Sequence, residues 1–469
     1  MRVTIGPMAR RRSWYQGGAP PGDRAPTLAG VASAHPTWAV LAAVGLLAAG
    51  CTGGQTLGAV AVPEAPSSTT TPSTTPPPTS TPQPTVPAAG AIAWAPCPGH
   101  TGWDCGTLGV PLDHAHPGAT ITLALSRHPA ADPAHRVGSL LLNPGGPGAS
   151  GISFAYEAVS GLLDPVLVRD FDVIGFDPRG VGASTPVQCV DGPTLDRLNH
   201  LDPAPSTPAA VAALEAGAKE LAAACEAHSG ALLPHLSTVD AARDMDDIRA
   251  ALGDPRLTYM GFSYGTLLGA TYAHLFPTRV RALTLDGAID PAIDAATMSV
   301  DQALAFETDL GDFLAWCAGS QSSCPFQAHG APSLRAAFDG LVAAIRAHPL
   351  PGSGARTVGP GEAFLGIIGP LYDRQQWPDL ASELASAQRG DGGPLLAEND
   401  LYLGRNPDGT YDNEEVANAA VNCLDHPAET IAQLESLAAA AEREAPYFGA
   451  AVAWGDATCT YWPVPAVTR

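Results

Sequence analysis

Residues 257–277 read LTYMGFSYGTLLGATYAHLFP. The apolar run 257–260 has the length of a buried strand, and 266–276 reads as a helix. Between them lies Gly261-Phe262-Ser263-Tyr264-Gly265, a serine with a glycine two places to either side. A turn tight enough to join the two elements leaves no space for side chains at those flanking positions, and glycine meets that demand. The helix that follows sets backbone N–H groups and the positive end of its dipole beneath the serine, which stabilises negative charge there. G-x-S-x-G between a strand and a helix is the pattern of a nucleophile elbow. Ser263 is therefore the candidate nucleophile, and such a serine works with an acid and a histidine further along the chain.

Residues 140–151, LLLNPGGPGASG, form a second signal. A buried strand runs into a Gly/Pro loop whose backbone N–H groups can be aimed at a substrate carbonyl. Beside a nucleophile elbow, one oxyanion donor comes from such a loop and the other from the residue after the nucleophile. The candidate donors are therefore the N–H of Tyr264 and that of Gly145 or Gly146. No Lys-Ser or Lys-Thr follows the glycines, so a phosphate-cradling loop is discounted. Residues 171–184, FDVIGFDPRGVGAS, read as a strand and then a loop pinned by an interaction of Asp177 with Arg179. A structural role for Asp177 is preferred to a catalytic one.

Around these stretches the chain alternates. Residues 109–127 read as two strands about a turn at His116-Pro117-Gly118. Residues 138–142 read as a buried strand, 173–176 as an apolar run and 280–285 as a strand expected at an exposed edge, and 209–228 and 240–252 as amphipathic helices. A hairpin followed by alternating strand and helix predicts an α/β fold with a mostly parallel sheet. After Pro291 the pattern is helical to about Pro427, with Gly/Pro-rich breaks at 349–361 and 388–394. The expected organisation is a core over 91–290, an inserted helical lid over 291–427, and a helix with the start of further core over 428–469.

The first 90 residues fall outside that pattern. Arg10-Arg11-Arg12, the apolar run WAVLAAVGLLAA at 38–49 and Gly50-Cys51 read as a signal peptide over 1–51. The ending LAAGC resembles the lipobox of bacterial lipoproteins, with lipid on Cys51. An uncleaved N-terminal anchor is the alternative, and both readings put the chain outside the cytoplasm. Residues 52–90, with PEAPSSTTTPSTTPPPTSTPQPTVPA at 63–88, carry almost no core-forming side chain and read as a disordered tether. With Cys51 given to lipid, eight of the nine cysteines remain, an even number that argues for disulfides in an exported chain. Spacing cannot fix their pairing; four local bridges are expected, Cys97–Cys105, Cys189–Cys225, Cys317–Cys324 and Cys423–Cys459. A net charge of −22 argues against nucleic acid as a partner. Neither CxxC nor HExxH occurs, so no metal and no cofactor are expected. The expected partner is a peptide or ester substrate, with membrane contact only through the N-terminal lipid or anchor, and the chain is expected to be a monomer.

The stretches CGTLGVPLDHAHP, LLLNPGGPGASG, FDVIGFDPRGVGAST, MGFSYGTLLGATYAHLFPTRVRALTLDGAIDP and NCLDHP span most of residues 100–427. Together they resemble the α/β-hydrolase fold. More narrowly, they resemble its secreted tripeptidyl aminopeptidase and proline iminopeptidase branch, found as exported proteins and lipoproteins in actinobacteria. The resemblance implies a serine hydrolase that removes short peptides from free N-termini through an acyl-enzyme on Ser263. It implies acidic lid residues that receive the substrate amine, for which Glu307, Glu414 and Glu415 are candidates. A carboxylesterase or lipase-like hydrolase, or a surface lipoprotein that binds without turnover, are the alternatives.

The fold's triad runs serine, acid, histidine in chain order. After Ser263 the only histidines are His274, His329, His348 and His426. His274 lies about 16 Å down the helix that begins at the elbow. His329 and His348 fall in the lid, and His426 follows Cys423 in a stretch that is structural in the family. Asp286 and His426 are reserve candidates for acid and base. The last two strand–helix units of the family, about 60 residues, are expected to be absent, and the general base with them.

Overall fold

The computed structural model describes residues 90–320 and 323–467. The signal peptide, Cys51 and the tether up to residue 89 lie outside the described residues. Seven strands form one sheet: β1 (Ala95–Pro96), β2 (Asp104–Pro111), β3 (Thr120–His128), β4 (Gly138–Asn143), β5 (Phe171–Phe176), β6 (Leu257–Phe262) and β7 (Val280–Asp286). Their order is β1-β2-β3-β5-β4-β6-β7. The first three are an antiparallel ribbon joined antiparallel to β5; β5, β4, β6 and β7 are parallel.

Burial follows the residue pattern. β4 is GSLLLN and every residue of it is buried, as a central parallel strand covered on both faces must be. Leu140 and Leu142 point to one face and meet Ala155, Ala158 and Val173. Leu141 points to the other and joins Ile174, Phe176, Met245, Leu267 and Tyr272. One face is covered by α1 (Gly151–Glu157) and α2 (Pro165–Asp170), the other by α3 (Gly192–Asn199), α4 (Pro208–Ser229), α5 (Thr238–Ala251) and α6 (Tyr264–Leu275). Among the described residues β7 is one edge of the sheet and β1 the other, and in β7 Arg281, Ala282 and Thr284 are exposed.

After β7 the chain is helical: α7 (Ala295–Gly319), α8 (Leu334–Ala347), α9 (Pro360–Leu371), α10 (Trp377–Gln388), α11 (Gly393–Tyr402), α12 (Glu414–Asp425), α13 (Ile431–Glu444) and α14 (Gly449–Trp454). α7 to α11 enclose their own core of Phe306, Phe313, Phe338, Leu384 and Leu395, closed by Phe448. α12 packs elsewhere. Its stripe Val416, Ala420, Val421 and Leu424 sits in the sheet's core, at helical spacing. The division at 427 therefore does not follow the packing, because this stripe is apolar toward the sheet. All four expected disulfides are present. Among the described residues no helix is long and apolar enough to cross a membrane.

Candidate active site

β6 ends at Phe262 and α6 begins at Tyr264, so Ser263 alone makes the turn, with φ 51° and ψ −124°. A residue with a side chain rarely adopts that conformation, which costs on the order of 1–3 kcal/mol. The flanking glycines are obligatory. A Cβ on Gly261 would stand 2.4 Å from Gly265 O, and one on Gly265 would stand 2.7 Å from Asn143 Oδ1. The turn is held by hydrogen bonds on every side. Ser263 N–H donates to Asp286 O (3.0 Å), and Thr266 N–H and Oγ1 donate to Ser263 O (2.8 and 2.6 Å). The buried Tyr259 hydroxyl donates to Gly265 O (2.7 Å). Ser263 is half-buried, and its Oγ has no hydrogen-bond partner among the described residues.

The Gly/Pro loop lies directly against this turn. A Cβ on Gly145 would be 3.0 Å from Ser263 Cβ and 3.1 Å from Tyr264 N, and Gly145 has φ 103°. Gly145 N–H is already committed, donating to Asn143 Oδ1 at 3.0 Å. Gly146 N–H makes no such bond among the described residues. Tyr264 opens α6, and first-turn N–H groups point out of a helix N-terminus. The two glycines named from sequence thus differ: the Gly145 N–H is taken by Asn143, and the Gly146 N–H is not hydrogen-bonded among the described residues.

Asp177 and Arg179 do not pair with one another. Asp177 accepts from Ser150 Oγ (2.6 Å), Ile152 N (3.2 Å) and Ala183 N (2.9 Å), fastening its own loop to the start of α1. Burial raises its pKa, against those hydrogen bonds. Arg179 is fully buried and instead grips Asp244 through Nε and Nη2 (2.7 and 2.6 Å). The expected pin is therefore two pins, because Asp177 turns toward the catalytic loop and Arg179 toward α5.

The other candidates fall as follows. The Asp286 main chain bonds Ser263, and its half-buried carboxylate makes no hydrogen bond to a histidine among the described residues. His274, His329 and His348 are exposed, the last two in the helical layer. His426 follows α12 near Asp294, whose carboxyl is lowered mainly by the Thr297 N–H, with a contribution from His426. No hydrogen bond joins a histidine to Ser263 among the described residues. Glu307 is committed to the helical layer, where it accepts from Arg335 Nη1 (2.5 Å) and Tyr447 N (2.9 Å). It is therefore removed as an amine receiver. Glu414 and Glu415 open α12, and Glu414 O packs on Gly148 of the Gly/Pro loop. Burial raises the Glu415 carboxyl, opposed by a bond from Asn199 Nδ2 (3.1 Å).

Sequence reading missed Asn143, Asn418, Thr238 and Asp425. Asn143 and Asp425 stood inside quoted motifs, NPGG and NCLDHP, and Asn418 and Thr238 carried no local signal. Asn418 Nδ2 donates to Pro147 O (2.9 Å). Tyr264 OH, Thr238 Oγ1 and Asp425 Oδ2 form a chain with both gaps at 2.5 Å.

The family model for the alpha/beta hydrolase fold matches residues 138–323. Over 401 residues the chain is 37% identical to serine protease Hip1 of Mycobacterium tuberculosis, covering 81% of this chain and 76% of that one. It is 36% identical over 374 residues to carboxylesterase B of the same organism, covering 78% and 71%. It is 34% identical over 377 residues to the tripeptidyl aminopeptidase of Streptomyces coelicolor, covering 78% and 68%. A strained serine elbow braced by a glycine loop, on this sheet and with these relatives, makes the chain a member of the α/β-hydrolase family of peptidase-type serine hydrolases.

Proposed function

We propose that the chain is an exported aminopeptidase-type hydrolase that cleaves short peptides from free N-termini through an acyl-enzyme on Ser263. The observation that carries this reading is the seating of Gly145 against Ser263 and Tyr264. Ser263 Oγ attacks the scissile carbonyl, and the carbonyl oxygen gathers negative charge. The N–H groups of Tyr264 and Gly146 receive that charge. The C–N bond then breaks, the amine leaves with a proton, and water later cleaves the acyl ester. Glu414, in the first turn of α12 beside the glycine loop, supplies negative charge for the substrate's ammonium group, while Glu415, raised by burial and held by Asn199, is the weaker candidate.

No imidazole stands among the described residues to take the Oγ proton, so solvent water takes it during attack and returns one to the leaving amine. Acylation by these residues alone proceeds with the oxyanion hole and binding, which sustain on the order of 10³-fold catalysis over water without the triad. The alternative of binding without turnover has the same observation in its favour. Export is supported by the four disulfides, and lipid on Cys51 gives the attachment.

The test is hydrolysis of a tripeptidyl p-nitroanilide, with free and with acetylated N-terminus. The reading expects slow release that disappears in Ser263→Ala and falls on acetylation. Release unaffected by Ser263→Ala would overturn the nucleophile. Equal rates on both substrates would overturn the aminopeptidase, and binding without Ser263-dependent release would favour the non-hydrolytic alternative.

A further inference from the structure

We propose that α12 is a fixed wall of the catalytic site, in which Asn418 and Asp425 are positioning residues for the oxyanion hole. The proposal rests on Ser263 being the nucleophile. Its first support is the contact of α12 with the glycine loop. A Cβ on Gly148 would stand 2.4 Å from Glu414 O and 3.0 Å from Asn418 N, so the loop touches the helix backbone without a side chain between them. Asn418 Nδ2 then clamps Pro147 O (2.9 Å). Asn422 Nδ2 donates to Asn418 Oδ1 (2.9 Å), which fixes the amide with its nitrogen toward the loop. Gly146 lies inside the segment held this way.

The second support lies two turns along the same helix. Residues 418, 422 and 425 are spaced to share one face. Asp425, 4% exposed, accepts from Thr238 N (3.0 Å) and from Thr238 Oγ1 (2.5 Å). The single hydroxyl proton of Thr238 goes to that carboxylate, so Tyr264 OH donates to Thr238 Oγ1. The phenol of the residue that supplies the other oxyanion N–H is thereby tied to α12. One helix brackets both donors. The helix is itself immobilised by its apolar stripe in the sheet's core and by Cys423–Cys459. Oxyanion donors act through placement to within a fraction of an ångström, and a packed helix supplies that where a mobile lid does not.

A blander role exists for Asp425, as a cap on the N-terminus of α5 through Thr238 N–H. Two variants separate the roles, since Thr238→Val and Tyr264→Phe leave that backbone bond in place. The experiment is titration of the full chain with phenylboronic acid, which forms a tetrahedral adduct with a serine oxygen, followed by the tetrahedral boron NMR signal. Thr238→Val, Tyr264→Phe and Asn418→Leu are each expected to weaken the adduct about tenfold. Thr238→Ser is expected to restore it, and Thr238→Val with Tyr264→Phe to weaken it no more than either alone, because both remove one shared link. Binding by Thr238→Val and Tyr264→Phe equal to that of the parent overturns the proposal.

Hydrogen exchange of peptides covering 143–149 and 261–268 tests the positioning without any ligand. Faster exchange in Asn418→Leu and Thr238→Val is expected, and unchanged exchange in both overturns the proposal. A boron signal that survives Ser263→Ala, together with faster exchange in those variants, overturns the nucleophile reading and leaves the clamp established.

Discussion

Ser263 holds its backbone in a conformation that suits glycine, and function explains why a serine stands there. Ser263→Gly relieves the strain and loses part of the gain to chain entropy, so a net stabilisation of about 1 kcal/mol is expected in denaturant unfolding, together with loss of all Ser263-dependent chemistry. A second residue sets a pH dependence. Glu383 Oε2 is buried without a hydrogen-bond partner among the described residues. Burial, with Glu398 and Asp379 adding to it, raises its carboxyl to about 8. A raised folded-state pKa means the folded chain holds the proton more tightly than the unfolded one. The stability it contributes is present in full below the ordinary glutamate value and is lost as pH rises through about 8. Thermal melts of Glu383→Gln are expected to exceed the parent at pH 8.5 and to match it at pH 4; a gain at both values would contradict this origin. The serine elbow was legible at this scale because its two flanking glycines leave a local signature. The split between Gly145 and Gly146 was not, because it depends on Asn143, whose side chain folds back onto the loop.

Among elements, strands and core helices were legible and their neighbours less so. Residues 138–142, 280–285 and 209–228 read correctly because strand alternation and helical spacing are local. The short β1 was missed, since two residues carry no period. α12 was read with the lid because it lies after the break in rhythm. Only its apolar stripe distinguishes it, and which core that stripe meets is decided by contacts far away in sequence. Two changes test its anchoring. Gly148→Ala sets a Cβ against Glu414 O at a φ of 104°, where a backbone atom cannot give way; a cost of about 2–3 kcal/mol is expected, seen as a lower denaturation midpoint. Removing both Cys423 and Cys459, 36 residues apart, is expected to cost about 4 kcal/mol in the chain-entropy account. A loss under 1 kcal/mol would mean that packing alone fixes α12.

For the whole molecule, export and lipid on Cys51 were expected from the N-terminal motif, which lies outside the described residues; the four bridges fit an exported chain and say nothing of the lipid. Palmitate labelling is expected to mark the intact chain in an actinobacterial host and not Cys51→Ser; equal labelling of both would refute lipid at that cysteine. The contacts of α12 with the glycine loop and with Thr238 of α5 were not legible, because they join residues far apart in the chain.

A Ser263 nucleophile facing an oxyanion hole of Tyr264 and Gly146 N–H is expected to show itself in a crystal structure of the phenylboronic acid adduct. Boron is expected on Ser263 Oγ, with one boronate oxygen about 2.7–3.1 Å from both of those nitrogens. Boron on another residue, or a boronate oxygen turned away from both N–H groups, would contradict it.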